Sequence, residues 1–203
     1  MVLPPEITSR ESLQSKKQAV VRQEVWSAAI DLFHSEGFDQ VTIEQIASRA
    51  GVSRRTFFRY FSSKEDVLAS SVRNFVDALS ETIKSDDSAA GSLLLVKRAL
   101  PIVLEPFLPS AERVMQIATR SVSARSAQVH QGPVVQQKLV EAFAFRANRA
   151  SQPRVEDRVL AGLTLFATSL CLEMWVEQRE RSLTDIAEEV FSTFSSACQL
   201  ERH

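Results

Sequence analysis

The feature that most constrains this chain is a pair of short helical patterns separated by a three-residue turn, within residues 41–64. Apolar residues recur at i, i+3, i+4 and i+7, which places them on one face of a two-turn helix: Ile43, Ile46, Ala47 and Ala50. Thr42 is predicted to be the N-cap of this helix. Gly51 is predicted to end it with a positive φ, and Ser53 to cap a second helix over residues 54–61. Two helices joined by a short turn that contains glycine form a helix-turn-helix.

The second of these helices has two chemically different faces. At about 100° per residue, Phe57 and Phe61 project to one side, and Arg55 and Arg59 project to the opposite side. A recognition helix needs this layout, because its apolar side packs on the first helix while its opposite side enters the major groove. Residues 41–64 also contain five basic side chains and one acidic side chain. A merely solvated amphipathic helix is the alternative, but the conjunction of spacing, caps, turn and charge favours DNA binding.

The segment resembles the N-terminal domain of the TetR family of bacterial transcriptional regulators. The matching residues extend from the predicted first helix to the lysine that follows the recognition helix: Ala29, Leu32, Phe33, Gly37, Phe38, Thr42, Ile43, Ile46, Ala47, Gly51, Val52, Ser53, Thr56, Tyr60, Phe61 and Lys64. They cover about a quarter of the chain. Two positions depart from the family pattern, since Val41 stands where threonine is common and Phe58 stands where tyrosine is usual.

The resemblance implies two kinds of DNA contact. Hydroxyl groups and a lysine near helix starts suit phosphate oxygens, and the residues that carry them are Thr42, Ser53, Thr56, Tyr60 and Lys64. Arg54, Arg55 and Arg59 are expected near base edges, where arginine can bind guanine O6 and N7 bidentately. Arg55 and Arg59 rank above Arg54 because they point furthest from the core. Phe58 either loses a phosphate contact or packs against a thymine methyl group.

The sequence predicts an all-α protein with two domains of unequal size. Residues 1–12 are expected to form a flexible arm, 13–62 a three-helix DNA-binding domain with the helix-turn-helix, and 63–203 a larger helical domain for ligand binding and dimerisation. Apolar periodicity and breaks predict later helices over 64–85, 111–122, 134–150, 155–178 and 183–199, and three prolines are expected to divide residues 92–110 into short pieces.

Charge and hydropathy restrict the class of protein and its location. The net charge of −1 argues against a generally basic nucleic-acid binder. Residues 1–10 contain Pro4, Pro5 and Glu6 where a signal peptide would need an apolar core, so we expect a cytoplasmic protein. Residues 159–172 carry no charge, but a membrane span needs about twenty apolar residues. A buried helix of a soluble protein is the favoured interpretation.

The helix predicted over residues 155–178 is apolar nearly all round, so it needs two surfaces to bury against. A larger monomer core would satisfy it, but a two-fold dimer is favoured because two recognition helices read two half-sites. The resemblance implies that the last two helices pair with those of a second subunit and that their other side lines a ligand cavity. The interface candidates are Leu160, Leu163, Trp175, Ile186, Val190 and Phe194, and the ligand candidates are Arg120, Phe143, Phe166, Leu170 and Met174.

These features favour a ligand-responsive transcriptional repressor that binds a palindromic operator as a homodimer. A hydrophobic cavity with an arginine suits a small amphipathic anion, and residues 55–61 resemble a TetR branch that binds long-chain acyl-CoA. The alternative is an architectural or division protein that binds DNA without ligand control. An enzyme is disfavoured, because phosphate-binding, dinucleotide-binding and metalloprotease motifs are absent and the three histidines suggest no catalytic pair. We expect no cofactor and no metal.

Overall fold

The computed structural model describes residues 5–150 and 152–199, and within that part of the chain every regular element is a helix. The all-α prediction is confirmed. In chain order the elements are α1 (Pro5–Glu36), α2 (Ile43–Arg49), α3 (Arg54–Tyr60), α4 (Lys64–Ser85), α5 (Ser92–Leu104), a single 3-10 turn (Glu105–Phe107), α6 (Leu108–Arg120), α7 (Val122–Val129), α8 (Gly132–Arg146), α9 (Val155–Glu177) and α10 (Leu183–Gln199).

The helices form two compact units. The first unit combines the residues up to Leu68 with Arg113–Gln128, and the second unit combines Ala69–Glu112 with the residues from Val129 onward. Helices α4 and α6 therefore each begin in one unit and end in the other. The functional division at residues 12 and 62, into arm, DNA-binding domain and ligand-binding domain, stays a prediction.

The core of the first unit takes residues from two separate stretches of the chain. Helices α1 to α3 and the start of α4 supply most of it, and α6 and α7 add Val114, Ile117 and Ala124. An ion pair between Asp31 and Arg113 ties α6 to α1. A short apolar pattern such as that of α6 shows that one face is buried but does not show which helices cover it.

Several helix boundaries differ from those that the sequence predicts. Helix α1 begins at Pro5 instead of near residue 13, because proline suits the first turn of a helix, where its missing N–H group has no intrahelical partner. Residues 5–12 are thus helical where a flexible arm was expected, and residues 1–4 lie outside the described residues. Pro101 does not break α5, which continues to Leu104. Helix α7 was not predicted, since Ala124 is its one buried residue.

The second unit packs α9 against α5, α8 and α10. The connection from α8 to α9 is held by Arg149, whose guanidinium binds both carboxylate oxygens of buried Asp157 at 2.7 and 3.0 Å. The carboxylate of Asp157 also accepts the backbone N–H of Arg154 at 2.7 Å, so it ends the turn and starts α9.

Helix α9 is less buried than the sequence predicts. Only 28% of its most apolar 18-residue stretch is buried within the chain, and by length and composition the helix is apolar enough to cross a membrane. Val155, Val159 and Phe166 are 75%, 54% and 58% exposed. One side of α9 therefore lies in the core of the second unit, and its other side is an uncovered apolar surface.

Candidate nucleic-acid interface

Side-chain caps fix the starts of both helices in the helix-turn-helix. The Thr42 hydroxyl accepts the Gln45 backbone N–H at 3.2 Å, while the Gln45 side-chain carbonyl accepts the Thr42 backbone N–H at 2.8 Å. This reciprocal capping box confirms Thr42 as the N-cap of α2. Gly51 has φ +65°, and the Ser53 hydroxyl accepts the Thr56 N–H at 3.1 Å, so the predicted turn and second cap are confirmed.

Helix α3 has the two faces that its sequence predicts. Phe57 and Phe61 are buried in the first unit, and Arg55 and Arg59 are exposed. The Arg59 guanidinium donates to the Tyr60 hydroxyl at 2.9 Å and lies 4.8 Å from the centre of its ring. Arg55 has no hydrogen bond or ion pair with any residue that the structure describes. Its guanidinium is thus free to bind an incoming group.

Arg54 is already engaged within the first unit. Its Nη1 atom lies 3.1 Å from Oε1 of Glu44 on α2, and its guanidinium carbon lies 5.5 Å from the centre of the Phe58 ring. Phe58 is 44% exposed and meets the edge of buried Phe57. The lower rank that the projection gives Arg54 among the arginines agrees with these contacts.

Lys64 holds the connection between α1 and α2. Its ammonium donates to the carbonyl oxygens of Phe38, Asp39 and Val41 at 2.8, 3.3 and 3.3 Å, and it lies 4.7 Å from the centre of the Phe38 ring. An ammonium has three N–H donors, so these carbonyls occupy all of them. Nothing in the sequence indicates this structural role, because the three acceptors are backbone atoms 23 to 26 residues away.

The same connection is fixed from the α6–α7 junction. Hydrogen bonds from Ser121 and then Ser123 lower the pKa of Asp39, so its carboxyl stays ionised beside the Lys64 ammonium. An open groove of about 340 Å³ lies along this part of the surface, at the starts of α2 and α4. The groove contains the predicted phosphate ligands Thr42 and Lys64 and the carboxylates of Glu44 and Glu65. The full lining is Val41, Thr42, Ile43, Glu44, Arg54, Ser63, Lys64 and Glu65.

The family model for bacterial regulatory proteins of the tetR family matches residues 26–70, from within α1 to the first turns of α4. Residues 26–70 therefore match the N-terminal domain of the tetR family.

Known transcriptional regulators are similar to less than half of the chain. The HTH-type transcriptional regulator TcmR of Streptomyces glaucescens is 30% identical over 92 residues, which are 45% of this chain and 41% of TcmR. The HTH-type transcriptional regulator RutR of Escherichia coli K12 is 32% identical over 94 residues, 46% of this chain and 42% of RutR. The fatty acid metabolism regulator protein of Bacillus subtilis is 32% identical over 77 residues, 36% of this chain and 40% of that protein. The chain therefore matches about two fifths of the length of these relatives.

Solved TetR-family structures resemble nearly the whole chain in fold. The regulator FadR of Bacillus subtilis, in complex with stearoyl-CoA, has a TM-score of 0.54 at 16% identity, over 84% of this chain and 95% of that one. A tetR-family regulator from Shewanella sp. PV-4 has a TM-score of 0.57 at 20% identity, over 87% and 97% of the two chains. At these identities the likeness is one of fold, and it extends beyond the helix-turn-helix to the larger helical domain.

The predicted ligand residues do not form one group. Phe143 is buried in the core of the second unit, while Leu170 and Met174 are half-buried on α9. Phe166 is exposed and stacks on Phe194, with 5.9 Å between ring centres. Arg120 is an exposed residue of the first unit and is not part of the unit that holds the other four candidates.

Three other arginines of the later helices and their connections have structural partners. Arg113 pairs with Asp31, and Arg149 pairs with Asp157. Arg146 donates to the carbonyl oxygens of Ser88 and Ala90 at 3.0 and 2.8 Å, and so holds the connection between α4 and α5.

The predicted dimer residues divide into two groups. Leu160, Leu163, Trp175 and Phe194 are half-buried and keep surface that a second chain could cover. Ile186 and Val190 are 0% and 3% exposed, and they pack in the core of their own unit. We correct their assignment, because side chains that are buried within the chain offer no surface to a partner.

Proposed function

We propose that this protein is a ligand-responsive DNA-binding regulator of transcription. It binds a palindromic operator as a homodimer in the cytoplasm and represses transcription until a small hydrophobic or amphipathic ligand releases it. The observation that carries the proposal is the exposed, unpaired guanidinium of Arg55, on the face of α3 opposite the buried Phe57 and Phe61. A capped helix that is anchored on one side and presents arginine on the other suits the major groove.

The polar residues around α3 divide between base reading and phosphate contact. Arg55 and Arg59 read base edges, and both are exposed. The hydroxyl groups of Ser53, Thr56 and Tyr60 contact phosphates, which fix the position of the helix on the duplex. The Thr42 hydroxyl donates to the Gln45 side chain at 2.9 Å, so it exchanges that hydrogen bond for a phosphate oxygen on binding.

Arg55→Ala tests the base-reading role. Footprinting of the DNA upstream of the protein's own gene first identifies the operator. A lost bidentate contact should weaken operator binding by about 1–3 kcal/mol, roughly 5- to 150-fold, because an arginine–guanine pair discriminates by that amount. Binding to a random duplex should change much less. Arg98→Ala removes an exposed arginine of α5 and is the charge-matched control. Equal losses on both duplexes would contradict the role, and protection of many dispersed sites would indicate an architectural protein.

The dimer interface that we propose is centred on α9. Its outward apolar side chains lie within one face of the helix at about 100° per residue: exposed Val155, Val159 and Phe166, and half-buried Leu163 and Leu170. Over residues 183–196 the outward face of α10 is mostly polar, because its apolar side chains other than half-buried Phe194 are buried in their own unit. A second copy of α9 covers the stripe through a two-fold axis, which also provides the two recognition helices that a palindrome needs.

Phe166→Glu tests the interface, because it places a charge in the middle of the stripe. We expect sedimentation equilibrium to show a dimer for the wild type and a monomer for Phe166→Glu at the same micromolar concentration. Ile102→Glu is the matched control, since Ile102 is 72% exposed on α5 and lies outside the stripe. A dimer that survives Phe166→Glu and dissociates with Ile102→Glu would place the interface on α5 instead.

The ligand-binding unit of this proposal is the second unit, and long-chain acyl-CoA is the ligand class to test first. Support comes from the fold shared with FadR of Bacillus subtilis, which was solved with stearoyl-CoA. Met174 is half-buried on α9 and directly precedes Trp175 in the chain, so binding there should alter Trp175 fluorescence. In a Trp26→Phe background, a panel of acyl-CoA chain lengths is titrated, with free coenzyme A as the control. The absence of a response at every chain length would exclude this class and leave the DNA-binding proposal intact.

Ligand control then requires that ligand and DNA weaken each other's binding by the same factor. Helix α4 runs from Lys64 to Ser85 and starts in the unit that carries α3, so we propose that its displacement transmits the signal. The two half-sites lie about 34 Å apart, and a change of a few ångströms between recognition helices is enough to release the operator. Operator affinity measured with and without the ligand, and ligand affinity measured with and without the operator, check the reciprocity.

A further inference from the structure

One acidic side chain lies within the otherwise basic helix-turn-helix. Glu44, the second residue of α2, is the single acidic residue in residues 41–64, and its side chain is 60% exposed. A carboxylate on a DNA-facing surface repels phosphates, and it lowers affinity unless it has another effect on binding. Its Oε1 atom lies 3.1 Å from Nη1 of Arg54, the first residue of α3. The effect to be sought is therefore on Arg54.

Arg54 is held from a second side by an aromatic ring. Its guanidinium lies 5.5 Å from the centre of the Phe58 ring, one helical turn further along α3. Phe58 in turn meets the edge of Phe57, at 5.5 Å between ring centres and 89° between planes, and Phe57 is fully buried. Cations are attracted to the faces of aromatic rings. Glu44 thus contacts Arg54, Arg54 contacts Phe58, and Phe58 packs against Phe57 in the core of the first unit.

The next residue, Arg55, lacks the contacts that restrain Arg54. Arg55 has no ion pair or hydrogen bond among the residues that the structure describes, and it is exposed. Two consecutive arginines therefore present one restrained and one available guanidinium at the start of the recognition helix. An unrestrained arginine close to DNA also binds phosphates, which raises affinity for every sequence alike.

We propose that Glu44 is a specificity-determining positioning residue. It holds Arg54 against Phe58, on the α2 side of α3, and thereby keeps that guanidinium from binding phosphates without regard to sequence. Operator discrimination is then left to Arg55 and Arg59. The inference rests on the proposed DNA-binding function. Glu44 affects selectivity indirectly, by positioning Arg54, and does not itself contact a base.

Glu44→Gln, Arg54→Gln and the double variant form a cycle that tests this coupling. Each protein is titrated with the footprinted operator and with a random duplex at several salt concentrations. We expect Glu44→Gln to bind the random duplex about three- to tenfold more tightly at low salt, and the slope of log K against log salt to steepen by about 0.9, the value for one added phosphate contact. The ratio of operator to random affinity should fall. In the Arg54→Gln background, the Glu44→Gln substitution should leave the slope unchanged.

A matched control and three outcomes separate the explanations. Glu24→Gln removes an exposed carboxylate of α1 in the same unit and should change neither slope nor ratio. Equal effects of Glu44→Gln with and without Arg54 would overturn the inference, since they would reflect net charge alone. A loss of discrimination at one base pair without a change of slope would also overturn it and would make Glu44 a direct base contact. If no protein, the wild type included, preferred the operator, the proposed function would fail and this inference with it.

Discussion

Lys64 links charge to fold stability at the scale of a single residue. Lys64→Met keeps the aliphatic stem but removes three charge-assisted hydrogen bonds to the carbonyl oxygens of Phe38, Asp39 and Val41. We expect it to lower the free energy of unfolding by about 1.5–3 kcal/mol, the usual range for hydrogen bonds to a charged group. Urea denaturation followed by Trp26 fluorescence measures this change. Lys16→Met, at an exposed lysine of α1, should stay within about 0.5 kcal/mol.

If Lys64 bound only DNA phosphates and did not stabilise the fold, Lys64→Met would give a different result. Stability would then be unchanged, and the slope of log K against log salt for DNA binding would fall by about 0.9. The sequence singles out Lys64 because its position matches the TetR pattern, and its phosphate contact stays a prediction. It could not reveal the three acceptors, because a backbone carbonyl group leaves no signature in the identity of its residue.

Cys171 gives a prediction about reactivity. The side chain is fully buried on α9, and burial raises the pKa of its thiol to about 11, because the thiolate is poorly solvated there. The thiolate is the reactive form, and an ordinary cysteine has a pKa of about 8.5. In a Cys198→Ser variant, we expect native protein to react with an aromatic disulfide reagent at pH 8 at least about 100-fold more slowly than unfolded protein. Similar rates in buffer and in urea would contradict the buried position.

The α2–α3 turn illustrates what an element requires of its residues. Gly51 has φ +65°, and a Cβ atom placed there would meet no other atom within 4 Å. Gly51→Ala should therefore destabilise the protein through backbone strain alone, by about 1–2 kcal/mol. Gly162 lies inside α9, where an added Cβ atom is in ordinary contact at 4.0 Å. Gly162→Ala should instead stabilise by up to about 1 kcal/mol, because alanine favours a helix interior. Thermal unfolding of both variants checks the opposite signs, and the same sign for both would contradict this account.

Elements that are set by local signals were predicted closely from the sequence. Thr42, Gly51 and Ser53 act on groups within three or four residues of themselves, and the helix-turn-helix they delimit was found where the pattern indicates it. Helix α10 likewise has the predicted bounds, Leu183–Gln199. The start of α1 and the existence of α7 were missed, because neither is marked by an apolar stripe. Pro101 does not end α5 as expected, because a well-packed helix tolerates one lost backbone hydrogen bond.

The parts that the sequence could not supply concern which surfaces meet. Spacing shows that Ile186 and Val190 lie on a buried face of α10, but it does not distinguish burial within the chain from burial by a second chain. The structure makes that distinction, since both residues are buried in one copy while Phe166 is not. For the same reason, the sequence predicts that the helix over residues 111–122 belongs to the domain of residues 63–203. In the structure, α6 contributes to the core of the first unit.

At the scale of the whole molecule, the two tryptophans allow the two units to be followed separately. Trp26 packs against the core of the first unit and Trp175 against that of the second. Ile117 is 2% exposed in the first core, so Ile117→Ala should lower the stability reported by Trp26, in a Trp175→Phe background, by about 2–5 kcal/mol. Ile186→Ala is the matched control, because Ile186 is fully buried in the second core. It should shift the transition that Trp175 reports in a Trp26→Phe background. If Ile117→Ala shifted the Trp175 transition and left that of Trp26 unchanged, residues 113–128 would belong to the second unit, and α6 would not enter the core that supports the recognition helix.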